Sequence, residues 1–229
     1  MSQLHLFLCR HAPREGSKDQ ITDVGKQQAS ALGEALRRSS PKGNFIGMCS
    51  RYLRTRETVV AILAGAGCSE ASIIQDAALQ NTEFNPRWLQ AEITSPNAAC
   101  NAYLQFGDTR PDGHALAPRE VAARLVYLLH RHLDDTPSPL TLVAVTHSGM
   151  IEVLLAYLLD FQQVEAIGGI FDYLESITLL FEQAQGAPWS MQASFRSHTY
   201  TIADNTLQSL LQLGSMIGST ASHDGGTIS

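Results

Sequence analysis

Short apolar runs that alternate with amphipathic segments constrain the fold of this chain most. Residues 140–146, Leu-Thr-Leu-Val-Ala-Val-Thr, form the clearest buried strand, and a helical run from about residue 150 to 159 follows it. The runs 4–9 and 45–49 have the same character, and each precedes residues whose apolar positions recur at helical spacing. Strands that alternate with helices predict a three-layer α/β/α fold with a mainly parallel sheet.

The 229 residues are enough for one large core, and the pattern divides them into a domain and a tail. Periodicity is lost from about residue 80 to 117, which predicts a small cap inserted into the domain. Two later runs, 176–181 and 189–195, predict a hairpin of edge strands. We expect the domain to cover residues 1–200. Residues 201–229, rich in Ser, Thr and Gly, are expected to form a loosely ordered tail.

The charge balance bears on which partners the chain can have. Sixteen Lys and Arg against 22 Asp and Glu give a net charge of −6, which argues against a surface for nucleic acid or anionic lipid. No stretch approaches the ~20 apolar residues that span a bilayer, and the N-terminal segment lacks the basic region of a signal peptide. The four cysteines form no C-x-x-C pair, which favours free thiols. We therefore expect a cytoplasmic protein without nucleic-acid or membrane partners.

Imidazoles and basic side chains follow three of the predicted strands. Arg10 and His11 come directly after the first strand, and His147 follows the strand at 140–146. The helix after the second strand begins with three arginines, Arg51, Arg54 and Arg56. Open α/β sheets bind ligands outside the carboxyl ends of their strands. We therefore expect two histidines and one or more arginines to converge on one pocket.

This set of side chains suits a dianionic phosphoryl group. Guanidinium groups bind its oxygens bidentately, and a neutral imidazole can attack phosphorus to give a phosphohistidine that water later cleaves. The leaving alkoxide also needs a proton from an acid. Metal binding finds less support, because His130 and His132 point about 200° apart on a predicted helix and cannot share an ion. A serine nucleophile also finds less support, because no G-x-S-x-G motif surrounds Ser148. We expect no metal and no other cofactor.

Four sequence blocks occur in an order that is similar to a known family. They are L-C-R-H-A at 8–12, I-T-D-V-G at 21–25, S-R-Y-L-R-T-R-E-T at 50–58 and A-V-T-H-S-G at 144–149. In these blocks, over roughly residues 3 to 195, the chain resembles the histidine phosphatase superfamily, which has the phosphoglycerate-mutase-like fold. The resemblance implies that His11 is the nucleophile and that Arg10 and Arg54 bind phosphate. It also implies that His147 hydrogen-bonds the phosphoryl oxygens.

The chain departs from the family pattern at the proton donor. The family's donor segment aligns best with L-Q-N-T-E-F-N at 79–85, which places Asn81 at the donor position. An amide cannot supply the proton of a carboxylic acid, so the donor is either Glu83, two residues away, or another group of the cap. We expect Glu83 to be the donor and Asn81 to be a substrate-binding residue. Ala12 stands where the family usually has Gly, which is a small change. Pro13 stands where the family often has Glu, and its ring fixes the backbone of this loop.

These observations predict a metal-independent phosphomonoesterase that works through a phosphohistidine on His11. Its substrate would be a small-molecule phosphate ester or a phosphoprotein. Asn81 at the donor position keeps a second hypothesis open, a catalytically weak or inactive phosphate-binding module. A phosphomutase is disfavoured because the sequence lacks the first loop and the cap motif that are typical of the mutases.

Overall fold

In the described part of the chain, seven strands form one sheet, and helices pack on both of its faces. The computed structural model describes residues 2–16, 18–40, 44–68, 73–80, 94–132, 140–183 and 190–221. The strands are β1 (Ser2–Arg10), β2 (Asn44–Cys49), β3 (Ile73–Gln75), β4 (Leu140–Thr146), β5 (Ser176–Gln183), β6 (Ser190–Phe195) and β7 (His198–Ile202). The α-helices are α1 (Asp23–Ser39), α2 (Leu53–Gly65), α3 (Pro96–Leu104), α4 (Pro118–Arg131), α5 (Met150–Leu159) and α6 (Asp204–Ala221). Short 3₁₀ segments cover Ala77–Leu79 and Val164–Ile167.

The strand order is β3-β2-β4-β1-β5-β6-β7, and its first half is parallel. β3, β2, β4 and β1 pair in parallel, whereas β5, β6 and β7 are added to β1 in antiparallel fashion. All seven residues of β4 are buried, as the continuous apolar run predicts. In the register, Arg10 of β1 lies opposite Thr146 of β4. The residues that follow these two strands therefore lie at the same edge of the sheet.

Alternation along β1 shows why helices cover both faces. Leu4, Leu6 and Leu8 join a core cluster on one face, where α4, α5 and α6 pack. Phe7 and Cys9 point to the other face and join a cluster with residues of α1 and α2. The three-layer α/β/α fold class is confirmed.

The layer of α1 and α2 depends on two glycines. A Cβ atom on Gly33 would lie 1.9 Å from the carbonyl oxygen of Ile62, and one on Gly65 would lie 1.9 Å from that of Ser30. The two helices therefore touch backbone to backbone, which no larger residue permits. Thr22 caps α1, as its sequence predicts, by accepting a hydrogen bond from the Gly25 amide at 2.9 Å.

The expectation of a loose tail was wrong for residues 204–221, which form α6. Leu207 and Leu210 of this helix are buried, and the helix packs along α4. A Cβ on Gly214 would lie 2.4 Å from the carbonyl oxygen of Ala123, so this glycine permits a close approach. The composition of α6, rich in polar and small residues, predicts a loose segment because it does not reveal the apolar face of the helix. Residues 222–229 lie outside the described residues, and the domain boundary at residue 200 stays a prediction.

Two further expectations need correction. The strands β5 and β6 are not edge strands, because β7 pairs with β6 and forms that edge of the sheet. Part of the predicted cap is a regular helix, α3, whose Cys100 and Tyr103 side chains are buried. Its short length and its Asn residues hid the helical period. Among the helices of the described segments, none combines the length and apolar character that a membrane crossing requires.

Candidate active site

The ends of β1 and β4 bring two histidines together. His11 and His147 each follow a strand directly, and the His11 amide donates to the Thr146 carbonyl at 3.0 Å. Their ring centroids lie 5.6 Å apart in an edge arrangement. Only 5% of His11 and 2% of His147 are exposed. The convergence that the sequence predicts at this edge of the sheet is therefore present in the structure.

The hydrogen bonds of His11 define its tautomer. Its Nδ1 atom lies 2.8 Å from the Ala12 carbonyl oxygen, and because a carbonyl only accepts, Nδ1 carries the proton. Burial, together with the charges of Arg54, Arg10 and Arg14, lowers the pKa of His11 to about 3, although the bond to Ala12 acts in the opposite direction. His11 is thus neutral at neutral pH, and its Nε2 atom keeps a lone pair.

His147 is held by a chain of hydrogen bonds with one consistent direction. Nη2 of Arg54 lies 3.1 Å from Nδ1 of His147, and since a guanidinium only donates, Nδ1 accepts. The proton then lies on Nε2, which donates to Ser50 Oγ at 2.9 Å. Ser50 continues the chain to Thr55 Oγ1 at 2.8 Å, and Thr55 donates to the Tyr52 carbonyl at 2.7 Å. Burial, followed by the charge of Arg54, lowers the pKa of His147 well below its usual value.

Arg54 is fixed on its other side by Asp19. Nη1 of Arg54 lies 2.5 Å from Asp19 Oδ1 in an ion pair, and the Arg54 side chain is only 11% exposed. The second oxygen of Asp19 accepts from the Leu53 amide at 2.9 Å, at the N-terminus of α2, where a carboxylate is favourable. The Nε atom of Arg54 is buried and has no hydrogen-bond partner in the described part of the chain.

Like Arg54, Arg10 has one guanidinium nitrogen in a hydrogen bond and a buried Nε atom without a partner in the described residues. Its Nη1 atom donates to the Phe171 carbonyl at 2.9 Å. Its Nε atom is buried, and no group of the described residues accepts from it. Its guanidinium carbon lies 4.3 Å from the centroid of the Tyr173 ring, a cation–π contact.

The loop 171–175 is tied to Arg10 along its length. The Leu174 amide donates to the Arg10 carbonyl at 3.2 Å, and the Arg10 amide donates to the Glu175 carbonyl at 3.2 Å. The Phe171 amide donates to the fully buried carboxylate of Glu152 at 2.6 Å. Leu174 adopts a φ of 61°, an uncommon conformation for a non-glycine residue, and its amide is held by the Arg10 carbonyl.

Arg196, in the turn between β6 and β7, binds the loop 171–175 through Glu175. Its Nε and Nη2 atoms bind the two oxygens of Glu175 at 2.5 and 2.8 Å. Its remaining hydrogen bonds go to three backbone carbonyls, those of Ile167, Gly169 and Ile170. All three guanidinium nitrogens therefore donate. The hydrogen bond from Arg196 lowers the pKa of Glu175.

Two tyrosines flank the histidine pair. The Tyr52 ring lies 5.2 Å from the His147 ring and 4.3 Å from the guanidinium carbon of Arg54. The Tyr173 ring lies 5.5 Å from the His11 ring and covers Arg10 in the same way. Tyr173 is 42% exposed, whereas Tyr52 is more buried. Arg10 and Arg54 therefore each have an aromatic ring on one side.

Thr58, the last residue of the sequence block 50–58, connects two parts of the site. Its hydroxyl donates to the Arg54 carbonyl at 2.7 Å and accepts the Ala12 amide at 3.0 Å. One side chain thus joins the loop of His11 to the helix of Arg54. The glycine of the second block, Gly25, lies so close to this loop that a Cβ atom would be 2.8 Å from the Pro13 carbonyl oxygen.

Four of the six predicted site residues, Arg10, His11, Arg54 and His147, lie together. Asn81 and Glu83 lie outside the described residues. Arg51 and Arg56, which the sequence alone could not separate from Arg54, are exposed. Sequence reasoning missed four contributors, Asp19, Glu152, Tyr173 and Arg196. They act through contacts between distant parts of the chain, and no motif or spacing marks them.

Comparison with known proteins agrees with this geometry. The model of the histidine phosphatase superfamily (branch 1) matches residues 6–190. The chain belongs to this superfamily. A search of the curated proteins found no match.

Solved structures share the fold at low sequence identity. A mycobacterial hydrolase (hydrolase 1) is 20% identical with a TM-score of 0.60, and the match covers 87% of this chain and 100% of that one. Mycobacterial glucosyl-3-phosphoglycerate phosphatase is 20% identical with a TM-score of 0.55, over 83% and 96%. Phosphoserine phosphatase from Entamoeba histolytica, solved with 3-phosphoglyceric acid, is 16% identical with a TM-score of 0.54, over 89% and 99%. At these identities the likeness shows a common fold.

Proposed function

We propose that this protein is a metal-independent phosphomonoesterase that works through a phosphohistidine on His11. One observation carries the proposal: the buried Nε donors of Arg10 and Arg54 have no partner within the described segments, and they belong to the two guanidinium groups at the histidine pair. Buried donors are ordinarily satisfied, so two open ones at one site favour an anionic ligand there. A phosphoryl group provides the oxygens that both arginines need.

The tautomer of His11 supports its role as nucleophile. Its Nδ1 proton is engaged by Ala12, so the Nε2 lone pair attacks phosphorus and forms an N–P bond while the ester P–O bond breaks. The electron pair of that bond leaves with the alcohol oxygen, which takes up a proton. Water then attacks the phosphohistidine, the N–P bond breaks, and inorganic phosphate and neutral His11 are restored.

Arg10, Arg54 and His147 are assigned to the phosphoryl oxygens. The guanidinium groups neutralise charge as the transition state forms, in a site that excludes most water. Ser50 holds the His147 ring through Nε2, and Arg54 occupies its Nδ1 atom. A dianion favours protonation of Nδ1, which would then donate to a phosphoryl oxygen instead of accepting from Arg54.

We assign the proton donor to Glu83, with Asn81 as a substrate-binding neighbour. Glu83 is the carboxyl group nearest in sequence to the donor position that the family alignment gives to Asn81. A carboxylic acid delivers a proton to a poor leaving group, whereas an amide does not. Replacing Glu83 by Gln should therefore slow the hydrolysis of alkyl phosphates far more than that of aryl phosphates, whose leaving groups need little protonation.

Small phosphate esters are the substrate class that we propose. The structural neighbours include a glucosyl-3-phosphoglycerate phosphatase and a phosphoserine phosphatase, both named for small-molecule phosphate esters. We place the protein in the cytoplasm, because its four cysteines are free thiols, which suit a reducing compartment.

A phosphate-binding module without turnover is the second candidate. Asn81 at the donor position favours it, since a site with two arginines and a histidine pair binds phosphate even when no acid completes the reaction. In that case aryl phosphates with good leaving groups would react slowly and alkyl phosphates would hardly react. Comparable rates on both would exclude this candidate.

The decisive experiment is release of inorganic phosphate from an aryl phosphate in the presence of EDTA. We expect the wild-type protein to be active and His11→Asn to lose activity by at least about 10³-fold, because the nucleophile is absent. The matched control is His5→Gln, on the same strand and about 20 Å away at 3.3 Å per residue, which should keep full activity. Equal activity of wild type and His11→Asn would exclude the phosphohistidine mechanism.

A further inference from the structure

We propose that Tyr173 is the residue that selects the leaving group, and that the preferred substrates carry a flat, aromatic ring next to the ester oxygen. This inference rests on the proposed function, because it concerns the same pocket. It assigns to the site a class of substrate, phosphomonoesters of ring-bearing alcohols, that the fold and the phosphate-binding residues leave open.

The position of Tyr173 is the first argument. Its ring lies 5.5 Å from the ring of His11 and is tilted by 51° to it. In an in-line displacement the reacting atoms start about 3 to 3.5 Å apart, and the leaving oxygen lies on the side of phosphorus opposite Nε2 of His11. A ring whose centroid lies 5.5 Å from that of the His11 ring is therefore within reach of a group that the leaving oxygen carries.

Exposure is the second argument. Tyr173 is 42% exposed although it adjoins a histidine that is only 5% exposed. Tyr52, the other tyrosine of the site, is more buried, and its ring meets His147 nearly perpendicularly at 85°. Of the two tyrosines, Tyr173 therefore has more surface left over to cover a ligand. Large apolar surface at a pocket mouth is typical of a binding contact.

The rigidity of the ring is the third argument. Arg10 covers one side of it at 4.3 Å, and hydrogen bonds from Leu174 and to Glu175 fix the loop on either side. Arg196 holds the same loop through Glu175. A ring that is already held in place loses little freedom when a ligand stacks on it. The pocket thus presents a fixed aromatic surface, for which a planar ring is the best geometric match.

The test uses two pairs of compounds that differ only in whether a ring is flat. Benzyl phosphate and cyclohexylmethyl phosphate have similar primary alcohol leaving groups, so leaving-group acidity does not separate them. The corresponding phosphonates cannot be hydrolysed, and they report binding even if the protein does not turn over. The variants are Tyr173→Phe, which keeps the ring, Tyr173→Leu, which keeps apolar bulk without a ring, and Val60→Ala, a control at an exposed position of α2.

We expect wild type to favour the benzyl member of each pair on the order of 5-fold, in kcat/KM for the phosphates and in Kd for the phosphonates, as one stacked ring allows. Tyr173→Phe and Val60→Ala should keep this ratio, and Tyr173→Leu should bring it to about 1. A wild-type ratio near 1, a ratio that survives Tyr173→Leu, or one that is lost in Tyr173→Phe would overturn the inference. Phosphonate binding without any phosphate release would instead overturn the proposed function and leave the binding ratio as the test of Tyr173.

Discussion

Asp19 and Arg54, 35 residues apart in the chain, form an ion pair whose carboxylate also caps the N-terminus of α2. One Asp19 oxygen binds the guanidinium of Arg54, and the other accepts the Leu53 amide. The loop that precedes α1 therefore decides where the guanidinium of Arg54 points. Without Asp19, Arg54 would keep its bond to His147 but lose the contact that fixes its Nη1 atom.

Replacing Asp19 by Asn should lower kcat/KM for phosphate esters by about 10-fold or more, because a misplaced positioning group costs up to ~10²-fold in rate. The Asn side chain can still accept the Leu53 amide, so the free energy of unfolding should change by less than ~1 kcal/mol. Steady-state kinetics and urea unfolding measure the two effects. Asp23→Asn, at an exposed ion pair with Lys26, is the control and should change neither. Unchanged kinetics in Asp19→Asn would show that Asp19 does not position Arg54 for the reaction.

Replacing Thr58 by Val should destabilise the protein by about 1 to 3 kcal/mol. The Thr58 hydroxyl is the acceptor of the buried Ala12 amide, and a methyl group leaves that donor unsatisfied. Because Ala12 follows His11, activity should fall as well. Thr199→Val, whose hydroxyl is exposed and bonded to Ser194, should cost less than ~0.5 kcal/mol in the same urea titrations. Equal losses in both variants would contradict a joining role for Thr58.

The sequence predicted the half of the site that consists of residues directly after strands. Arg10, His11 and His147 could be placed because buried strands are visible as continuous apolar runs and their ends meet at one edge of the sheet. Arg54 could be separated from Arg51 and Arg56 only through the family resemblance, because all three precede or begin the same helix.

The other half depends on contacts that no local pattern encodes. Asp19 reaches Arg54 across 35 residues, and Arg196 reaches Glu175 from the next hairpin, in a turn where Arg196 itself has a φ of 46°. The helix α6 was missed for a similar reason. Its close contact with α4 uses Gly214, a residue that counts as a helix breaker when sequence alone is considered.

Acid should destabilise the folded protein in the range between about pH 6.5 and pH 3. The folded pKa of His11 is lowered to about 3, and that of His147 is also lowered, whereas unfolded histidine titrates near 6.5. The unfolded state therefore binds more protons in this range, so the free energy of unfolding rises with pH and falls as pH decreases. Each histidine contributes a slope of up to ~1.4 kcal/mol per pH unit.

Urea unfolding at several pH values between 4 and 7.5 measures this slope. His11→Asn removes one of these groups, so its slope should be smaller than that of wild type. Inorganic phosphate should raise stability in wild type by binding the folded state. Identical slopes in wild type and His11→Asn would show that His11 is not held neutral by the fold.

Replacing Arg196 by Lys should weaken both stability and phosphate binding. A single ammonium group cannot reproduce the bidentate pair with Glu175 and the three carbonyl contacts at once, so several partly or fully buried acceptors lose their donor. We expect a loss of about 2 to 4 kcal/mol in the free energy of unfolding. The loop 171–175 also orients Arg10 through the Phe171 carbonyl, so KM should rise more than kcat falls.

The control is Arg38→Lys, since Arg38 is 72% exposed and pairs with Glu34 only at 3.9 Å. A second variant, Glu175→Gln, keeps the size of the carboxylate partner and should reproduce the direction of both effects at smaller magnitude, because the amide keeps one acceptor oxygen. The split between KM and kcat separates the positioning of Arg10 from simple destabilisation. If Arg196→Lys loses stability with an unchanged KM at a temperature where it remains folded, then Arg196 supports the fold alone and the position of Arg10 is set by β1.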